Sequence, residues 1–294
     1  MLPPRFDYAA PTSISDAISL LRTNGEGAKV IAGGQSLIPL LKLRLASPTL
    51  LVDIGRIPGL EYISESEGFL SMGAMTRMAD VAGSDLLRRR YPMIHDAATV
   101  IADPLVRNMG TVGGNIAHGD PANDLPAVML ALDAEFVAEG PSGRRTVRAR
   151  DFFVDTFTVA LNLGEILTEV RVPRPASRSG GAYLKVEQKV ADFATAGAAV
   201  FLHMGIRGEC DSACIGLTNV GPKVVEATKA AESLKGQKLT NREALQRAAT
   251  LAAEASDPLP DIRGTAEYKR NLVKRLVVEG LELAYGRSQS GGAR

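Results

Sequence analysis

Two glycine-centred turns constrain the folding of this chain more than any other feature: Ala32-Gly33-Gly34-Gln35-Ser36-Leu37 near the start, and Gly110-Thr111-Val112-Gly113-Gly114-Asn115 further on. A glycine pair adopts backbone conformations closed to other residues, and it lets a ligand or a second segment approach the main chain where a Cβ would block it. Each turn therefore ends one element and opens another. The first follows residues 29–32, an apolar strand, and precedes residues 37–45, whose apolar spacing is helical and whose Pro39 sits in the first turn, where proline is tolerated. Upstream, residues 11–24 read as a helix opened by Ser13 or Ser15, with Ile14, Ile18 and Leu21 on one face and Gly25 and Gly27 closing it. Residues 49–54 return as a second apolar strand, so the opening stretch is an αβαβ unit that predicts a small parallel sheet.

From Gly59 the rhythm changes. Short alternating stretches at 60–64, 69–74, 133–139, 146–150 and 165–172 read as strands, with helices at 77–84 and 93–102 between them. Residues 174–181, rich in Pro, Ser and Gly, have linker composition and mark the expected domain boundary. Beyond them, residues 182–188, 195–204 and 212–219 predict a three-stranded antiparallel sheet, followed by amphipathic helices at 242–256 and 266–285. The tail, residues 287–294, is expected to be disordered. The fold class is α+β, and 294 residues with 45% hydrophobic side chains suffice for two or three packed cores.

Composition removes several function classes. A net charge of +1, from 34 basic and 33 acidic residues, gives no field to recruit nucleic acid or an acidic membrane. No secretory leader is legible at the start, and the longest apolar stretch, residues 194–206, is broken by His203 and too short to span a bilayer. A cytoplasmic protein without membrane insertion is expected. The two cysteines, Cys210 and Cys214, are too few for an iron–sulfur cluster, which needs about four thiolates. Their spacing is open to a redox pair or to two small buried residues near a strand.

Chemically, both glycine turns offer main-chain N–H groups to an anion, and Ser36, Thr111 and Asn115 add side-chain donors. The spacing matches neither a G-x-G-x-x-G fingerprint nor a P-loop. No Ser/His/Asp arrangement or metal-ligand cluster is visible; Asp103, Asp120 and Asp124 read as turn and helix caps, His118 as a polar loop residue, and His95 and His203 as structural. No catalytic or metal-ligating residue is therefore assigned.

The second turn sits inside IADPLVRNMGTVGGNIAHGDPANDLPA, residues 101–127. Together with AGGQSL upstream and DFATAG late in the chain, this segment resembles the FAD-binding medium subunit of molybdenum hydroxylases, the carbon monoxide dehydrogenase type in particular, over nearly the whole length. The resemblance implies a two-lobed PCMH-type FAD-binding domain over residues 1–176, with lobes of about 1–57 and 58–176, and a C-terminal domain of the CO dehydrogenase flavoprotein type over 177–294. It implies that Lys29, Val30, Ile31, Ala32, Gly33, Gly34, Gln35, Ser36 and Leu37 form a first pyrophosphate-binding loop, and that Met109, Gly110, Thr111, Gly113, Gly114, Asn115 and Ala117 surround a second. Asp124 corresponds to an acidic residue near the ribityl or ribose hydroxyls. Ile101, Ala102, Ile166 and Leu167 match positions lining the flavin or adenine, Lys185 a flavin-contacting lysine, and Phe193 a side chain over the isoalloxazine ring. Gln35 stands where some relatives carry histidine, and no cysteine precedes Cys210, so the implied FAD is non-covalent.

The same resemblance implies two partners, a large molybdenum-binding subunit and a small subunit carrying 2Fe–2S clusters, assembled as a dimer of heterotrimers. Electrons would leave through this chain to a quinone, dioxygen, NAD or another carrier. The substrate of such an assembly, whether carbon monoxide, a purine, an aldehyde or an N-heterocycle, is read by another chain. Two rivals remain at this point: a self-sufficient FAD oxidoreductase with its own substrate pocket, and a scaffold whose glycine turns are only structural.

Overall fold

The computed structural model describes residues 2–290. Near its start Ser13 is extended and accepts the Asp16 N–H at 3.1 Å, so helix α1 (Ile14–Asn24) begins at the serine cap, a contact worth about 1 kcal/mol. Strands β1 (Asp7–Ala9), β2 (Ala28–Ile31) and β3 (Leu50–Asp53) form a wholly parallel sheet in the order β1-β3-β2. β1 was not legible in the sequence, because three largely exposed residues carry no apolar pattern. α1 packs Ala17 and Leu21 against Val52 and Ile54. Helix α2 (Leu37–Lys42) stops short of the expected residue 45, because Arg44 turns into the left-handed region at φ 59°.

The second lobe is a five-stranded antiparallel sheet with β4 (Ile63–Ser66), β5 (Phe69–Gly73), β6 (Glu135–Gly140), β7 (Gly143–Arg148) and β10 (Ile166–Pro173) in the order β4-β5-β10-β6-β7, beside a small hairpin, β8 (Phe153–Asp155) and β9 (Thr158–Val159). The expected strand at 60–64 begins only at Ile63; Leu60 is instead buried in the first-lobe core. Helices α3 (Met78–Gly83), α4 (Asp85–Arg90) and α5 (Pro92–Val100) cover the sheet, with α9 (Ala149–Phe152) at its edge. The motif segment, for which the sequence predicts a glycine turn and helix or turn caps but no named helix beyond residue 102, folds into three short helices, α6 (Pro104–Met109), α7 (Val112–Ala117) and α8 (Asp124–Ala131). Asp103 caps α6 through the Val106 N–H, and Thr111 caps α7 through the Gly114 N–H. All eight residues of α8 are buried, which an apolar helix achieves only between two layers.

The second of those layers is the C-terminal sheet, with β11 (Ser179–Val186), β12 (Ala196–Met204), β13 (Cys210–Thr218) and β14 (Val225–Glu226) in that order and all antiparallel. The sheet has four strands rather than the expected three, the extra one being two residues long. Tyr183, Ala199 and Phe201 face α8 and the second lobe, while Ala182, Ala198, Val200 and Leu202 face α11 (Arg242–Ala255) and α12 (Ala266–Gln289), with α10 (Thr228–Glu232) alongside. Burial on both faces explains the unbroken apolar run of β12.

Glycine makes these contacts close. A Cβ on Gly216 would lie 2.4 Å from the Ala127 carbonyl oxygen of α8, and one on Gly180 2.0 Å from that of Ala284 in α12. Gly180 and Gly181 are therefore buried strand residues and not linker; the expected boundary segment already belongs to the sheet from Ser179 onward. The tail expectation changes as well: Arg287 is helical and pairs with Asp96 of α5, while residues 291–294 of the tail lie outside the described region. A bulge at Asp211, where the register moves from His203↔Ser212 to Met204↔Cys210, turns Cys210 and Cys214 to opposite faces of the sheet. They are two separate thiols, Cys210 buried and Cys214 partly buried, and desolvation raises both pKa values.

Candidate cofactor-binding site

The two glycine turns meet. Gly33 lies against the start of the second turn so closely that a Cβ there would be 2.1 Å from the Met109 carbonyl oxygen and 2.9 Å from the Gly110 Cα. The Met109 carbonyl is held by Arg77 Nη1 at 2.5 Å, and a Cβ built on Gly114 would stand 3.9 Å from the Ala32 Cβ. Gly34 has φ +73°, a conformation that L side chains rarely adopt. Among the described residues the N–H groups of Gly33, Gly34, Gln35 and Ser36 make no hydrogen bond. Four unpaired donors in one turn are available to an anion.

The second turn is built differently from its expected part. Val112 N–H donates to the Thr76 carbonyl, Gly113 N–H to Ala74, Gly114 N–H to Thr111 Oγ1 and Asn115 N–H to the Thr111 carbonyl. These amides are used internally, so Gly113 serves close packing on Ala74, and Thr111, 2% exposed, serves as a helix cap. What this turn leaves open is the Asn115 side chain, whose Oδ1 is buried without a partner. Asn123 Nδ2 donates to the Asn115 main-chain oxygen at 2.8 Å, and the next residue is Asp124.

Asp124 lies in the joint between α8 and β11. Its carboxylate accepts from Tyr183 OH at 2.5 Å and from Lys185 Nζ at 3.3 Å, and the residue is 5% exposed. Burial pushes its pKa up to about 6 against the opposing pull of Lys185 and Tyr183. Lys185 spends its other protons on the Val100 carbonyl at 2.7 Å and the Asp192 carbonyl at 3.0 Å. The two residues expected to meet a cofactor therefore meet each other. Their ties reach the Ile101-Ala102 turn through Val100 and Phe193 through Asp192. Ala102, at φ 45°, is held by Arg107 Nη1, which donates to the carbonyls of Ile101 and Ala102.

Phe193 keeps 49% of its surface exposed. By contrast Ile101, Ile166 and Leu167 are core side chains, with Ile166 in the first-lobe cluster and Leu167 in the second. Lys29 is exposed, Val30, Ile31, Leu37 and Ala117 are partly buried, and Met109 is exposed at the end of α6. His118 caps the C-terminus of α7 with its ring 5.1 Å from that of Phe157, and burial lowers its pKa. His203 is no apolar-core histidine: its Nδ1 lies 3.3 Å from Asp211 Oδ2. The acidic residues of the motif are likewise engaged locally, Asp103 as a helix cap and Asp120 with the Ala122 N–H.

Two family models divide the chain between them: the FAD binding domain in molybdopterin dehydrogenase matches residues 4–175, and the CO dehydrogenase flavoprotein C-terminal domain matches residues 181–284. The chain belongs to the molybdopterin dehydrogenase flavoprotein family. This flavoprotein is 44% identical over 287 residues to the carbon monoxide dehydrogenase medium chain of Hydrogenophaga pseudoflava, covering 98% of this chain and 99% of the relative. It is 43% identical over 290 residues to that of Afipia carboxidovorans, covering 99% and 100%. The solved structure of the Hydrogenophaga pseudoflava carbon monoxide dehydrogenase lacking the Mo-pyranopterin moiety superposes with a TM-score of 0.95 at 45% identity, covering 98% of this chain and 99% of the other.

The residues of the flavoprotein fit FAD. A diphosphate requires free N–H donors and close access to the main chain, and Gly33 to Ser36 offer four unpaired amides, two of them on residues without a Cβ; a hydroxyl-bearing sugar chain matches the orphaned Asn115 Oδ1; a planar ring matches the half-exposed Phe193. Tyr183, Arg77, Arg107 and Asn123 were not singled out from sequence. Tyr183 alone had a local signal, since it shares a strand face with Lys185 two residues on.

Proposed function

We infer that this flavoprotein is the FAD-carrying subunit of a molybdenum hydroxylase, receiving electrons from iron–sulfur clusters of a small subunit after substrate oxidation in a large molybdenum subunit, and passing them to an external acceptor. The observation that carries the reading is the junction of the two glycine turns, where Gly33 touches Met109 and Gly110 and leaves four amides unpaired. The bound FAD supplies the redox step, accepting electrons and releasing them to the acceptor. The protein supplies position and environment.

In this reading Gly33 to Ser36 hold the diphosphate, and Asn115 Oδ1 accepts from a cofactor hydroxyl. Lys185 and Asp124 act one step back: they fix the Ile101-Ala102 turn and the segment ahead of Phe193, so that an apolar wall and an aromatic ring frame the flavin. The division into residues 1–176 and 177–294 is supported by the two family models, and lobes of about 1–57 and 58–176 by the separate parallel and antiparallel sheets of the first domain. Attachment is non-covalent, since Gln35 offers no imidazole and both cysteines are in the C-terminal sheet. No helix of the described residues is long and apolar enough to cross a membrane.

Substrate choice belongs to the molybdenum subunit. Because two relatives are carbon monoxide dehydrogenase medium chains, carbon monoxide is the first substrate to test. The test is purification of the tagged chain from its native host. Recovery with one molybdenum-containing and one iron–sulfur chain, together with a bound-flavin spectrum, is expected; a colourless monomer that never associates with either overturns the reading.

A further inference from the structure

Arg263 belongs to no motif, yet the structure ties its backbone and one guanidinium nitrogen, Nη2, to neighbouring residues, while Nε is buried without a partner among the described residues. It sits in the turn ahead of α12. Asp261 and Gly264 close that turn with two main-chain hydrogen bonds, at 3.1 and 3.2 Å. Asp261 Oδ1 accepts the Arg263 N–H at 2.8 Å, and Asp261 Oδ2 takes Lys269 Nζ at 2.8 Å. Lys269 is 2% exposed within α12 and also donates to the Leu259 carbonyl at 3.1 Å. A buried ammonium thus anchors the turn to the long C-terminal helix.

The guanidinium reaches from this anchor to the segment that ends in Phe193. Arg263 Nη2 donates to Asp192 Oδ1 at 2.9 Å, and the same oxygen accepts the Phe193 main-chain N–H at 2.8 Å. The guanidinium carbon stands 5.9 Å from the centroid of the Phe193 ring, within cation–π range. Gln188 Nε2 adds a tie to the Ile262 carbonyl at 3.0 Å. The segment needs such support, because Ala191 is in the left-handed region at φ 72° and Val190 is 92% exposed. Asp192 is gripped from two directions: Lys185 holds its carbonyl and Arg263 its carboxylate, which the guanidinium keeps below the usual carboxylate range.

We propose that Arg263 is a positioning residue for the flavin, fixing Phe193 through Asp192 and one face of its ring, so that the turn before α12 sets where the aromatic side chain stands relative to the cofactor. The inference rests on the reading that Phe193 faces the flavin. It predicts that the cofactor environment responds to a residue outside both glycine turns.

The experiment compares Arg263→Gln, Arg263→Lys and Phe193→Leu in the assembled enzyme, by visible absorption and fluorescence of the bound flavin and by tryptic cleavage after Lys189. Arg263→Gln is expected to shift the flavin bands, to raise flavin fluorescence and to accelerate cleavage after Lys189 by about five- to tenfold, as loss of a partly buried ion pair implies. Arg263→Lys retains the Asp192 charge partner without the planar face. It is expected to restore protection at Lys189 and leave the spectral shift in place. Phe193→Leu separates the two readings. An unchanged flavin spectrum in Phe193→Leu would remove the placement of Phe193 at the cofactor, and the inference with it. A changed spectrum in Phe193→Leu, with both spectrum and Lys189 cleavage unchanged in Arg263→Gln, would overturn the role of Arg263 alone.

Discussion

Gly33 and Met109 touch through main chain: the place where Gly33 would carry a Cβ lies 2.1 Å from the Met109 carbonyl oxygen. Two segments distant in sequence are joined at one point that only glycine can occupy. Beside that joint the four amides from Gly33 to Ser36 stay unpaired among the described residues.

Gly33→Ala forces the turns apart by the width of a methyl group. The substitution is expected to cost about 1–3 kcal/mol in stability, as an overpacked contact does. FAD content of the purified assembly should fall with it. The ratio of flavin absorbance to protein absorbance is the measurement, and full occupancy in Gly33→Ala would mean the joint does not hold the cofactor.

In the second turn the stakes differ, because its amides are already bonded. A Cβ on Gly114 would lie 2.7 Å from Thr111 Oγ1, so Gly114→Val should push out the α7 cap and lower FAD occupancy. Thr111→Ala removes the cap without adding bulk, and should cost about 1 kcal/mol. Thermal unfolding of both variants, read beside FAD content, checks this; equal stability of Thr111→Ala and the parent would remove the capping role.

Within the C-terminal domain, one buried glycine and one exposed glycine give opposite outcomes. Gly180→Ala meets the Ala284 carbonyl at 2.0 Å and should destabilise by about 3 kcal/mol or more. Gly286→Ala, in α12 with nothing within 4 Å, should be neutral or stabilising by up to about 1 kcal/mol, because alanine is the better helix former. Urea midpoints decide; similar shifts in the two variants would contradict the packing.

A pH dependence follows from Asp124. Its folded pKa, about 6, lies above its ordinary value because the carboxylate is buried, so the neutral form favours the folded state. This contribution is full below pH of about 4 and is lost as pH rises through about 6, with a total on the order of 3 kcal/mol. Asp124→Asn cannot titrate. The stability gap between parent and Asp124→Asn should move against the parent between pH 4 and 6 and stay level above it. A gap that is flat across that range would show that Asp124 keeps an ordinary pKa in the joint.

Much of the architecture is legible in the sequence. The Ser13 cap, the β2-turn-α2 unit, most strands of the second lobe and the two long C-terminal helices are written in periodicities and turn residues that act within a few neighbours. The motif segment 101–127 likewise carried the family. Tertiary structure decided the rest, because the partner of an N–H or a carboxylate is set by chain segments far away in sequence. It bonded the Val112–Asn115 amides internally and left those of Gly33 to Ser36 free, and it gave Asp124 and Lys185 to each other. It also turned Gly180 from apparent linker into a packing residue, because α12 lies against it, and split Cys210 from Cys214 by one bulge. Local pattern fixes which elements form; only their packing fixes which polar groups stay unsatisfied, and those are the ones that face a cofactor.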